Sequence, residues 1–371
     1  MEFSVSKTDL VRELSLSQGV VEKKTTIPIL SNVLIEAGEE KITLTATDLE
    51  LGVRCSCPAK VKKEGAGTIP ARKLLDYVRL LPDLELNVKF LENHWASLTC
   101  GRARTRIAGM SRENFPELPS APETMAEVDA GTLSSMIEKT MFAISLEESR
   151  FTLNGALLLF RPESLVMVST DGHRLAMVEV PGSVPPAAAG FRALIPRKAM
   201  EEIKKLAAEA GEGEQFEFSS DENHLFFRLG ARQLMSRKLT GNFPDFERVL
   251  PREQPNRIVL SRDDMRAAIE RVSQFADERS KAIRVQCTPG ELRFFSSLSD
   301  TGESEETLGV EYDGPEVEIG FNAGYLLEFL RVLPESQASF HFKDGASAGE
   351  LRPAGDEIRY TYRYIVMPMR I

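Results

Sequence analysis

Phe3–Val20 reads FSVSKTDLVRELSLSQGV, an alternating, strand-like opening followed by a polar residue and then Leu10 and Leu14 at helical spacing. The same pattern returns twice, as AEVDAGTLSSMIEKTMFAIS from Ala126 and NRIVLSRDDMRAAIERVSQFA from Asn256. Leu133, Ile137 and Met141 hold the apolar face in the second copy, and Met265, Ile269 and Val272 hold it in the third. Further along each third, alternating strands end near a Thr-Asp or Ser-Asp step: LTATDLELGV, VMVSTDGHRLAMV and LRFFSSLSDTGESEETLGV. A second strand-to-helix step comes next, in TIPARKLLDYVRLLP, LIPRKAMEEIKKLA and IGFNAGYLLEFLRVLP. Each third closes on strands that run into a proline-containing stretch: GRARTRIAGMSRENFPELP, LMSRKLTGNFPDFERVLP and YTYRYIVMPMRI. Four separate features therefore recur at about 125 residues, which identifies an internal triplication although identity between the thirds is low.

A chain of 371 residues is too long for one hydrophobic core, so the repeat and the domain count agree. The expected domains are 1–120, 121–251 and 252–371, joined by the proline-rich stretches Pro116–Pro122 and Pro251–Pro255. Each holds two helices and several short, hairpin-like strands. That pattern predicts an antiparallel sheet with helices on one face, an α+β fold.

Composition excludes several classes. Apolar residues make up 42% and charged residues 27%, close to the average for folded globular chains and unlike a disordered or membrane class. No apolar run approaches a bilayer span, and no membrane partner is expected. The N-terminus lacks a basic region followed by an apolar stretch, so it does not read as an export signal. Cys55, Cys57, Cys100 and Cys287 are too sparse for a disulfide scaffold and read as reduced, buried thiols of a cytoplasmic protein.

The net charge of −10 argues, taken alone, against a nucleic-acid partner. Counting the predicted helical segments 7–24, 71–81, 132–145, 197–210, 262–281 and 322–333 apart changes the picture, since they carry +4 and leave −14 elsewhere. An acidic shell with a mildly basic helical layer suits a protein that holds DNA on one surface and repels it from the others. Ordinary solvated helix faces would give the same sum. Size discriminates further: six helices, each about 10 Å wide, enclose a circle of about 19 Å through their axes and leave roughly 9 Å clear. Twelve helices from two chains give about 38 Å and roughly 28 Å clear, room for a duplex of about 20 Å. A head-to-tail homodimer is the arrangement that closes.

The motifs TIPIL (Thr26–Leu30), IPARK (Ile69–Lys73), LNG (Leu153–Gly155), TDGHRLA (Thr170–Ala176), IPRK (Ile195–Lys198), FPDF with RVLP (Phe243–Pro251), GFN with Tyr325, and VMPMRI (Val366–Ile371) appear in this order along the whole chain. In order and spacing the chain resembles the bacterial DNA polymerase III β subunit family, the sliding clamps. The resemblance implies three repeated clamp domains, with antiparallel sheets outside and two helices per domain inside, closed as a head-to-tail dimeric ring. It implies a non-catalytic processivity factor that encircles duplex DNA without reading its sequence. The implied partners are the replicative polymerase α subunit, the clamp loader, and mismatch-repair and translesion polymerases, all docking short peptides in one apolar pocket.

The resemblance places that pocket at Leu153, Thr170, Gly172, His173, Arg174, Leu175, Pro244, Arg248, Val249, Asn322, Tyr325, Ala346, Val366, Met367, Pro368, Met369 and Arg370. A Met-Pro-Met tail is polarizable and adaptable, which suits a groove serving several peptides, although such a tail could equally complete a sheet edge. The implied DNA contacts are Lys24, Arg72, Lys73, Arg150, Arg197 and Lys198, all to phosphate. Arg197 and Lys198 open a helix, whose N-terminal amides also favour phosphate. Dimer contacts should join the first domain to the third of the partner, with Ile107 and Phe275 as candidates. The chain departs from the family pattern at Ala346 and Ala348, where larger or hydroxyl-bearing residues often line the pocket, at Ser280 in place of an aromatic, and at Lys24 in place of an arginine.

Catalysis finds no inventory: there is no Gly-x-Ser-x-Gly elbow, P-loop or dinucleotide fingerprint. His173 beside Asp171 invites a metal or acid–base role, but His94, His224 and His341 fall at unrelated places in the repeat and no paired ligand spacing occurs. Asp-Gly is a turn signal, so His173 is expected to shape a pocket wall, with no metal and no cofactor. A triplicated scaffold that binds proteins without encircling DNA is the competing reading.

Overall fold

The computed structural model describes residues 1–21, 26–298 and 302–370. Lys24, Ile371 and Asp300, the aspartate of the Ser-Asp step in the third repeat, lie outside the described residues.

Each repeat supplies two helices: α1 (Lys7–Ser17) and α2 (Ala71–Leu80), α3 (Ala130–Met141) and α4 (Arg197–Ala208), α5 (Arg262–Val272) and α6 (Ala323–Val332). Local chemistry sets their starts. Side-chain oxygens of Ser6, Asp129, Ser261 and Asn322 accept the amides of Asp9 (3.4 Å), Thr132 (2.6 Å), Asp264 (3.2 Å) and Tyr325 (3.4 Å). The other two helices, α2 and α4, follow Pro70 and Pro196 directly.

All six helices stop short of the segments that the periodicity predicts, three of them by four residues or more. In α1 the hydroxyls of Ser15 and Ser17 turn back onto the carbonyls of Val11 and Leu14, and the helix ends at Ser17. Helix α3 ends at Met141 instead of Ser145. Helix α5 gives way after Val272 to a 3-10 turn, and Asp277 then accepts the amides of Arg279 (3.1 Å) and Ser280 (2.8 Å) in a bend.

The strands pair antiparallel and the chain divides into two compact units, Met1–Ser134 with Lys198–Lys238, and Ser135–Arg197 with Leu239–Ile371. The middle repeat is shared between them because hydrogen bonding crosses the repeat boundaries. In the first unit, Leu51–Lys63 of repeat one pairs with Arg232–Arg237 of repeat two, Gly52 opposite Met235. In the second, Arg174–Pro181 of repeat two pairs with Thr361–Val366 of repeat three, Leu175 opposite Ile365. The repeats are therefore joined through sheets, beyond the proline-rich linkers that the sequence marks.

Within the first unit α1 packs on α2, burying Leu10, Leu14, Leu74, Leu75 and Val78. Each such side chain contributes about 1.5–3 kcal/mol by leaving water. Glu13 on α1, also buried, takes a two-pronged grip from Arg232 (2.9 and 2.7 Å), so the helix layer and the shared sheet are tied by a charged pair. Burial pushes the Glu13 carboxyl up, and Arg232 and Arg12 outweigh it, holding it below its ordinary value. In the second unit α5 packs on α6, and a separate four-stranded sheet ends on Gly302–Gly309. The long sheet of the first unit ends on Ala103–Ala108.

Candidate functional site

A sheet crossover of the second unit supports an apolar cavity of about 130 Å³. Its floor is Leu175 and Ile365, neighbours across the shared sheet, and its walls are Leu153, Pro244, Phe246, Val249 and Met367. Thr170, Gly172 and Arg174 frame one end. A single turn builds this frame. Thr170 Oγ1 donates to Arg174 O (2.5 Å) and accepts Gly172 N (3.1 Å), while Asp171 Oδ1 accepts the amides of His173 (2.9 Å) and Arg174 (3.1 Å). Gly172 has φ of 90°, a left-handed backbone that calls for glycine.

Arg174 lines the cavity with its stem while its guanidinium is consumed elsewhere. Nε donates to Asp171 (3.0 Å), Nη2 to Phe142 O (2.6 Å) and Nη1 to Glu328, and the group lies 4.3 Å from the centre of the Tyr325 ring. Burial works against the charge, but Tyr364 and Glu328 outweigh it and hold the guanidinium above its ordinary value. With Thr170 also satisfied, the cavity presents mainly apolar surface. Such a site selects an aliphatic or aromatic side chain.

The remaining pocket residues fall into three groups. His173 and Arg248 are exposed; the His173 carbonyl accepts Met367 N (2.9 Å), and Arg248 pairs with Asp245 (2.8 Å). Asn322 caps α6 and donates to Ser280 O (3.2 Å), and Tyr325 reaches the cavity only through Arg174. Val366, Pro368, Met369 and Arg370 do not line the cavity, nor does Ala346, which is exposed in a turn held by Asp344. Ile365 takes the place expected of Val366, because successive side chains of a strand point to opposite faces. The alternation Ile365, Met367 could have revealed this, as the second phenylalanine of FPDF could have revealed Phe246.

The proposed phosphate contacts differ in their freedom. Arg72 and Lys73 are exposed in the first turn of α2. Lys198 is ion-paired with Asp48, a carboxylate whose side chain is only 6% exposed. Arg150 stands on the cavity turn, donating to Asp171 O (2.8 Å) and pairing with Glu147 (2.8 Å), so its charge is spent on the frame of the pocket. Arg197, half-buried, begins α4. Ile107 is 3% exposed within its own chain and Phe275 is half-buried, so neither stands out as a surface anchor.

Among the described residues no cluster of His, Cys, Asp and Glu is placed to hold a metal ion, and no helix is long and apolar enough to cross a membrane. The four cysteines are free and buried, and burial raises the thiols of Cys57 and Cys287 to about 12.

Comparison with known proteins agrees along the chain. Residues 1–119, 127–245 and 247–370 match the N-terminal, central and C-terminal domains of the DNA polymerase III beta subunit. The beta sliding clamp of Caulobacter vibrioides is 34% identical over 379 residues, covering all of both chains. That of Pseudomonas putida is 33% identical over 377 residues, again covering both completely. The crystal structure of the Pseudomonas aeruginosa sliding clamp bound to griselimycin superposes with a TM-score of 0.94 at 32% identity, covering 100% of each chain. The chain belongs to the DNA polymerase III beta subunit family, the bacterial sliding clamps.

Proposed function

We propose that this chain is a DNA sliding clamp, the non-catalytic processivity factor of DNA polymerase III, and that two copies close head to tail around duplex DNA. The observation that carries the ring is a pair of open sheet edges of opposite charge. Ala103–Ala108 ends its sheet with Arg104 and Arg106 exposed, and Arg102 stands just before it. Gly302–Gly309 ends another sheet with Glu303 and Glu305 exposed. Open edges invite association, and like charges on one edge discourage its pairing with itself. A heterologous contact between the two edges uses both and closes when repeated twice. Ile107 then supports the arginine strand from beneath. Phe275 supports the glutamate strand, since a methyl group on Gly302 would lie 3.3 Å from its ring.

The cavity docks apolar peptide anchors of partner proteins, and griselimycin, bound by the Pseudomonas aeruginosa clamp, is a ready probe of it. The polymerase and the clamp loader are the first partners, with mismatch-repair and translesion polymerases competing for the same site in the cytoplasm. Arg72 and Lys73 supply screened attraction to phosphate, and topology supplies the grip. Loading the chain on circular and linear DNA tests the reading. Retention on circles with loss upon linearisation is expected, and equal loss from both would leave only a scaffold that does not encircle DNA.

A further inference from the structure

The turn that frames the cavity is built a second time in the first unit. Thr47 Oγ1 donates to Leu51 O (2.8 Å), as Thr170 does to Arg174 O (2.5 Å). Asp48 Oδ1 accepts the amides of Glu50 (2.9 Å) and Leu51 (2.6 Å), as Asp171 accepts those of His173 and Arg174. Leu49 has φ of 79° where Gly172 has 90°. The crossover beside the turn matches too: Gly52 faces Met235 as Leu175 faces Ile365, and Arg237 N donates to Glu50 O (2.7 Å) as Met367 N does to His173 O (2.9 Å).

Side chains, and not backbone, distinguish the two places. Gly52 stands for Leu175, and a methyl group on it would lie 2.9 Å from Leu118 Cδ1 and 3.3 Å from Met235 Cε. Leu118 follows Pro116 by two residues, as Phe246 follows Pro244, and it has come down onto the sheet over the glycine. Arg237 replaces Met367, and its Nη1 lies 3.2 Å from Glu50 Oε1. Leu49, 48% exposed, carries at the rim a left-handed backbone that leucine rarely adopts.

We propose that this first crossover is a second, masked docking site for the same class of apolar ligand. Leu118 is its resident occupant, and the Glu50–Arg237 pair lies across its mouth. The proposal rests on the reading of the open cavity as a docking site. It makes Leu118 the residue that holds the valency at one ligand per chain.

Calorimetric titration of the full-length chain with griselimycin tests this. The native chain is expected to bind one equivalent, and the double variant Leu118→Ala, Arg237→Met two. The second should be at least tenfold weaker, because no helical turn like Phe246–Arg248 follows Pro116 to add a wall. Cut after Val366, the native chain should bind none and the double variant should keep one. A double variant that binds one equivalent intact and none when cut overturns the masked site. Full binding by the cut native chain would instead overturn the reading of the open cavity, so the two failures are distinct. If the double variant does not fold, Leu118→Val with Arg237→Met is titrated in its place, with the same outcomes.

Discussion

Arg174 pairs with Glu328, so a residue of the cavity wall is anchored to helix α6 of the following repeat. The same guanidinium holds Asp171, whose carboxylate shapes the turn at the cavity's end. Arg174→Ala should therefore cost about 3 kcal/mol, near the lower end of what breaking a buried pair costs, because Glu328 reaches water and can be resolvated. Urea unfolding measures it, and a loss well below 1 kcal/mol would show that the network carries little.

Removing Met367–Ile371 takes away one cavity wall and leaves the strand Thr361–Val366 in its sheet. Binding of griselimycin should fall at least a hundredfold while the mass in solution stays that of the native assembly. Unchanged affinity would sink the assignment of the cavity.

Arg72→Ala with Lys73→Ala removes two exposed cations from the start of α2. If both meet phosphate, the slope of log affinity for DNA against log salt should flatten by roughly 1.8. Lys198→Ala should flatten it less, because Asp48 already holds that ammonium. Equal slopes for native and doubly substituted chains would place these residues away from DNA.

Charge reversal tests ring closure. Arg104→Glu with Arg106→Glu should weaken the dimer at least tenfold by sedimentation, and Glu303→Arg should recover part of the loss. Glu303 is the cleaner choice, since Glu305 and Glu306 already pair with Arg293 and Arg271 within the chain.

His341 is pushed down to about 4, by burial first and by Arg352 next. In an unfolded chain the imidazole titrates near ~6.5, so between these values the unfolded state binds a proton that the folded state refuses. Stability should therefore fall as the pH drops from about 6.5 toward 4. Glu350, pushed up by burial but held below its ordinary value by Arg363 and Arg352, gives stability present above ~4.3 and lost at lower pH. In His341→Gln the urea midpoint should change less between about pH 7 and 5 than in the native chain. Identical slopes would exclude His341 as the cause.

The helix starts were legible because each is local: a Ser, Asp or Asn one residue ahead, or a proline. Two helix ends were hidden in short-range polar competition, at Ser15 and Ser17 and around Asp277, which apolar spacing does not register. The cavity was partly legible through the Thr-Asp-Gly turn and the Met-Pro-Met tail. Ile365 escaped because a side chain's face depends on the register of a strand pair formed across 190 positions, Leu175 opposite Ile365, and Phe246 because it sits in a short 3-10 turn, Phe246–Arg248, that apolar periodicity does not register.

By itself the sequence determined the triplication, the six helices and the turns at Asp48 and Asp171, because apolar period and turn chemistry act over a few residues. Only the tertiary structure decided which crossover opens and which cations stay free. Leu118 fills the space over Gly52, Asp48 claims Lys198, and the turn at Asp171 claims Arg150. Those outcomes depend on volumes and charges delivered from distant segments, and close packing lets only one arrangement stand at each place.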